Sequence, residues 1–150
     1  MSFGKGKLKE DKENVMEPYT GGLCLILNVN DTNLDSLKKD TELSNMLCKK
    51  WTTVKTDMKL WAADPSKYKL GNITTTLVQS TAWIVHCLIL DKGIPSVDAV
   101  KKCFKNVADL AKYEGGTVHI SSKFLDLVPQ AKDNLNILLD AGVNVFLYKN

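Results

Sequence analysis

From Leu70 to Asn150 the chain alternates β-branched or apolar runs with stretches of helical period. The order is LGNITTTLVQS, TAWIVHCLIL, SVDAVKKCFKNVADLAKY, TVHISS, PQAKDNLNILLDAG and VNVFLYKN, which reads strand, strand, helix, strand, helix, strand. Strands separated by helices of ten or more residues pair in parallel through helical crossovers, and such a sheet is covered on both faces. The pattern therefore predicts an α/β protein, a three-layer sandwich with a mixed, mostly parallel sheet flanked by helices. Ligands of such sheets usually sit beyond the carboxyl ends of the strands, so candidate site residues belong in the loops that follow them.

The same reading extends to the rest of the chain. LCLILNVN, residues 23–30, follows Gly21-Gly22 as a nearly continuous apolar run and, with WIVHCLIL, should lie in the centre of the sheet. Asp31, Thr32 and Asn33 offer N-cap chemistry, and Leu34, Leu37, Leu43, Met46, Leu47 and Trp51 predict a helix through about Lys50. Trp51 to Lys69 is less regular, with a turn at Asp64-Pro65 and Trp61 assigned to the core. Two strands meet near Gln79-Ser80. Ser96 can cap the next helix and Gly115-Gly116 can end it. Thr117 to Ile120 is a short strand, Pro129 suits the first turn of the last helix, and Gly142 suits its C-cap. Residues 1–20, where lysines and acids alternate, read as a flexible N-terminal arm with an edge strand around Lys7. Residues 21–150 read as a single domain.

Composition narrows the function classes. Hydrophobic residues make up 44% of the chain and charged residues 25%, as in a globular domain. No apolar run approaches the roughly 18 residues of a membrane span. The lysines near the N-terminus have no apolar stretch behind them, so no secretory signal is read and a cytoplasmic or nuclear location is expected. Cys24, Cys48, Cys87 and Cys103 lie far apart within apolar segments, without ligand spacing, and read as reduced core thiols and not as a metal site. His86, inside a central strand, reads as a satisfied core histidine. All 20 basic residues are lysine. The absence of arginine, the usual bidentate reader of guanine and phosphate, argues against sequence-specific nucleic-acid recognition. Weak electrostatic contact through Lys38, Lys39, Lys49, Lys50, Lys55 and Lys59 is what remains of that class.

The order of these pieces resembles the macro domain family, the ADP-ribose-binding α/β fold, most of all its small glutamate-directed ADP-ribosyl hydrolases. The resemblance spans nearly the whole chain. It rests on an opening GKGKL, similar to the family's GDL-type start, and on LCLILNVN as a strand ending in asparagine. LGNI…WIVHCLIL supplies the paired strands, TVHISS the strand that enters a glycine-rich loop, and VNVFLY the final strand.

The departures bear on function. Lys7 follows Gly6 where the family has an acidic residue that contacts adenine. The residues after the asparagine strand, Asp31, Thr32, Asn33, Leu34, Asp35 and Ser36, include no glycine, and neither does Ser121 to Val128, where the family wraps pyrophosphate. A pyrophosphate is held by backbone N–H groups converging on one concavity, often with φ > 0. Leu34, Phe124 and Leu125 carry bulk that obstructs such an approach. The leading expectation is a degenerate macro-like domain: a non-catalytic protein-interaction module, without cofactor or metal. Its interaction surface would be Phe124, Leu125, Leu127 and Leu34. The alternative implied by the resemblance is an ADP-ribose-binding protein or ADP-ribosyl hydrolase. There Asn30, Asp31, Ser121 and Ser122 would hold the ligand. Lys92 (one position late in the family register) and Asp126 would carry out the chemistry.

Overall fold

The computed structural model describes residues 5–18, 21–33 and 42–150. The strands are β1 (Leu8–Lys12), β2 (Cys24–Asp31), β3 (Ile73–Gln79), β4 (Ala82–Asp91), β5 (Ile94–Pro95), β6 (Thr117–Ser121) and β7 (Val145–Tyr148). They form one sheet in the order β1-β7-β6-β2-β4-β3, with β5 pairing β4. The β1/β7, β7/β6, β6/β2 and β2/β4 pairs are parallel, and β3 and β5 run antiparallel to β4. This is the mixed, mostly parallel sheet that the strand–helix alternation predicts. β2 and β4 lie inside it, as their continuous apolar sequences require, and all eight residues of β2 are buried.

Side chains alternate between two helical layers. From one face Asn28 and His86 meet Ser44 of α1 (Glu42–Lys50) and Met58 of α2 (Thr53–Ala62). One residue on, Cys87 turns the other way, toward Cys103 of α3 (Val97–Glu114). Ser96 caps α3 by accepting from the Ala99 N–H at 3.2 Å, and Gly115 closes it at φ 70°. Seven side chains of α3, from Ala99 to Ala111, are buried against the sheet.

Asn28 and the two histidines in this core are matched. The Asn28 amide donates to His86 Nδ1 (3.2 Å), which leaves the proton on Nε2, and Nε2 donates to Thr76 Oγ1 (2.9 Å). His86 is thus the satisfied core histidine expected. His119 is held between Thr117 Oγ1 and the Tyr148 hydroxyl, both at 2.7 Å, and stacks on Phe146.

Three stretches depart from the sequence reading. The segment after Trp51 is helical as α2, because Val54, Met58 and Trp61 recur at helical spacing and reach the core. The single last helix is broken into α5 (Gln130–Asp133) and α6 (Asn136–Asp140). The Asn134 side-chain amide donates back to the Gln130 carbonyl at 2.8 Å, in competition with the helical ladder. The connection read as a loop after β6 is a helix, α4 (Ser122–Leu127). Within the stretch read as an arm, β1 supplies the edge strand expected near Lys7, and Val15 and Met16 are buried. Leu34, Asp35, Ser36, Lys38 and Lys39 lie outside the described residues.

Candidate functional site

Three segments meet at the carboxyl ends of the central strands: the end of β2, the hairpin between β4 and β5, and the β6–α4 junction. Each contributes residues that the sequence singles out.

Asp31 ends β2, and its carboxylate is already occupied. Oδ1 accepts from the N–H groups of Asn33 (2.8 Å) and Lys92 (3.0 Å), and Oδ2 accepts from the Gly93 N–H at 2.7 Å. Both turn residues have positive φ, 52° for Lys92 and 82° for Gly93, as a two-residue type I′ hairpin requires. A lysine in the left-handed region is uncommon, and the hydrogen bonds that the Lys92 and Gly93 N–H groups donate to one carboxylate hold the turn there. Asp31 therefore works as a clamp on the hairpin. Thr32 adds a second tie, donating from its hydroxyl to Asp91 Oδ1 at 2.7 Å.

Lys92 and Asp126 are both exposed, one at the tip of the hairpin and the other on α4, and no ion pair or hydrogen bond joins them. Ser121 and Ser122 are likewise committed. Ser121 caps α4, its Oγ accepting from the Lys123 N–H at 3.0 Å, and the Ser122 hydroxyl donates to the Lys149 carbonyl at 2.6 Å. Lys123 is paired with Glu42 of α1 at 2.9 Å, which ties the far side of α4 to the neighbouring layer.

Phe124 corrects the expectation of an outward anchor. It is fully buried and stacks on Phe104 of α3, with ring centroids 6.3 Å apart. Leu125 and Leu127 are partly buried against the same core, and Val128 is fully buried. Four apolar side chains in a short connection are explained by the helix, which points Phe124 inward and closes over the ends of β2 and β6.

Asn30 stands apart from this pattern. Its carboxamide is buried, and among the described residues neither Oδ1 nor Nδ2 meets a hydrogen-bond partner within ordinary geometry. Tyr68, which sequence reasoning did not select, lies beside it. Its hydroxyl donates to the Asp31 carbonyl at 2.5 Å, and burial pushes its pKa up to about 12, opposed in part by the neighbouring Asn30 side chain. No sequence pattern marks Tyr68, 37 residues downstream of Asp31. Among the described residues no cluster of three His, Cys, Asp or Glu side chains could hold a metal ion.

The other sequence candidates settle elsewhere. Lys7 is exposed, its N–H bonded to Asn144 Oδ1 at 2.8 Å. Lys50 is spent on the Met16 carbonyl (2.6 Å) and the Trp51 ring. No described helix is long and apolar enough to cross a membrane.

No protein-family model matches the chain, and no curated protein matches it in sequence. Solved structures do match in shape. A macrodomain protein from Streptomyces coelicolor superposes with a TM-score of 0.77 at 18% identity, over 96% of this chain and 99% of that one. A Bacteroides thetaiotaomicron protein of unknown function gives 0.75 at 18% identity, over 95% and 98%. The macrodomain of Thermus aquaticus DarG gives 0.66 at 14% identity, over 97% and 99%. Agreement over nearly the full length of each, with the sheet order and helical layers described above, gives this chain the macrodomain fold.

Proposed function

We propose that this chain is a macrodomain-fold module that acts by binding a protein partner and does not turn over ADP-ribose. The observation that carries this reading is α4. Where a phosphate-binding member of the fold needs an open backbone concavity, a capped helix is pinned by Phe124 into the core. Asp31, Ser121 and Ser122 spend their polar atoms on the protein's own backbone. Exposed apolar side chains near this end of the sheet, Ile94 foremost at 70% exposure, give a partner something to cover.

Isothermal calorimetry with free ADP-ribose tests the reading, and a flat trace is the expected result. Saturable binding at micromolar ligand would overturn it. One observation favours that second reading, the buried Asn30 carboxamide that meets no hydrogen-bond partner among the described residues, since such a group normally meets a protein atom, a water or a ligand. On the second reading Asn30→Ala abolishes the heat. Release of ADP-ribose from a glutamate-modified substrate would then be lost in both Lys92→Ala and Asp126→Ala.

A further inference from the structure

The two edges of the sheet are built differently. β1, at one border, has the sequence LKEDK, and charged edges resist pairing with another chain. β3, at the other border, has the sequence ITTTLVQ, with no charge and no proline, and no described strand pairs its outer side. Leu77 on it is 64% exposed. The direction of its free groups follows from the ladder. The Leu88 N–H of β4 donates to the Asn72 carbonyl, and an antiparallel ladder alternates. Thr74 and Thr76 therefore turn their backbone groups toward β4, while Ile73, Thr75 and Leu77 present N–H and C=O outward.

A groove of about 420 Å³ opens where this edge begins, lined by Trp61, Lys67, Asn72, Ile73, Thr74 and Asn106. It wraps around the strand, because Trp61 comes from α2 and Asn106 from α3, on opposite faces of the sheet. Trp61 is braced edge-on by Tyr68, and Asn106 by the Gly71 carbonyl at 3.0 Å. The border of the groove is basic. Lys67 lines it, Lys69 follows, and the stem of Lys102 lies so close to Gly71 that a Cβ there would fall 2.5 Å from its Cδ. Lys55 and Lys59 are exposed on α2, one turn apart. Against them stand Asp57 on α2 and Asp64, whose carboxylate is held by the Ser66 hydroxyl at 2.6 Å.

We infer that β3 is a docking edge for an extended, acidic peptide segment of a partner protein, which adds to the sheet as a further strand and seats a side chain in the groove. An unprotected edge supplies backbone hydrogen bonds, and a pocket beside it supplies side-chain selection; together these are the requirements of strand addition. The basic border selects an acidic strand over a second copy of this chain, which carries a net charge of +3 and brings the same border with it. This inference rests on the interaction-module reading and names its surface.

The probe is a fluorescein-labelled eight-residue peptide of alternating glutamate and valine, compared with its lysine–valine counterpart by fluorescence polarisation. The acidic peptide should saturate at micromolar protein, and the basic one should bind at least tenfold more weakly. Two variants of the full chain locate the site. Thr75→Pro removes an outward N–H, a position where edge strands accept proline. Leu77→Glu places a repelling charge on an exposed site. Each should weaken the acidic peptide at least tenfold with an unchanged melting temperature, and the peptide should slow amide exchange at Ile73, Thr75 and Leu77. Equal affinity for the two peptides, no saturation by the acidic one, or affinity unaffected by both variants would overturn the inference. So would a dimer in sedimentation that Thr75→Pro dissociates. A flat ADP-ribose trace alongside any of these results would remove the edge and leave the interaction-module reading intact.

Discussion

Lowering the pH from 8 to 5 should cost the fold about 4 kcal/mol, well before most carboxylates protonate. The cause is the pair of buried histidines. Burial holds the His86 pKa down at about 3, and burial together with the Lys12 charge holds that of His119 down at about 4. Both stay neutral in the folded chain through this range, while in the unfolded chain each takes up a proton as the pH falls through about 6.5. The unfolded state then binds more protons, so stability is full above pH 6.5 and declines below it, by about 1.4 kcal/mol per histidine per pH unit. Urea denaturation at pH 8 and pH 5 measures the difference. His119→Gln should remove about half of the slope, and a slope unchanged in that variant would mean that His119 is not the group responsible. For a chain of this length the melting temperature should drop by roughly 10 °C over the same interval.

Phe124→Ala should destabilise the protein by roughly 3–5 kcal/mol, the range for emptying a packed aromatic site. The side chain is fully buried and its ring meets Phe104, so truncation opens a cavity between α4 and α3. A six-residue helix has little stability of its own, and Phe124 is its one residue fully buried in the core. Thermal melts of Phe124→Ala and Asp126→Ala, two residues apart on the helix, separate anchoring from helix propensity. The first should fall by ten degrees or so and the second by no more than about two. A Phe124→Ala melt within that smaller range would show that α4 is held by its caps instead.

The sheet was legible in the sequence because its central strands are apolar over their whole length, and the helix from Val97 because its seven buried side chains recur at helical spacing. The candidate site was legible only in part. The positions of Asp31, Ser121 and Ser122 follow from strand ends, but their roles depend on backbone donors and acceptors supplied by distant segments. Asp31 is matched to N–H groups 61 and 62 residues away, and the Ser122 hydroxyl to a carbonyl 27 residues on. The burial of Phe124 is hidden from the sequence for a related reason. Its run is too short to show a helical period, and its partner ring comes from a helix with no sequence link to it. The break at Asn134 was hidden because asparagine is compatible with a helix and also with the side-chain bond that interrupts one.

The pairing of β1 with β7 has a consequence for synthesis. The Lys9–Phe146 and Lys12–Tyr148 matches join the opening of the chain to its close, and the Lys149 N–H returns to the Lys12 carbonyl at 2.8 Å. A ribosome makes β1 nearly 140 residues before the strand it pairs with. Until then β1 has no described strand to pair with, and its charged sequence keeps it solvated while it waits. Completion of that border therefore waits for β7, and a nascent chain stalled before residue 145 should carry a protease-sensitive β1 segment.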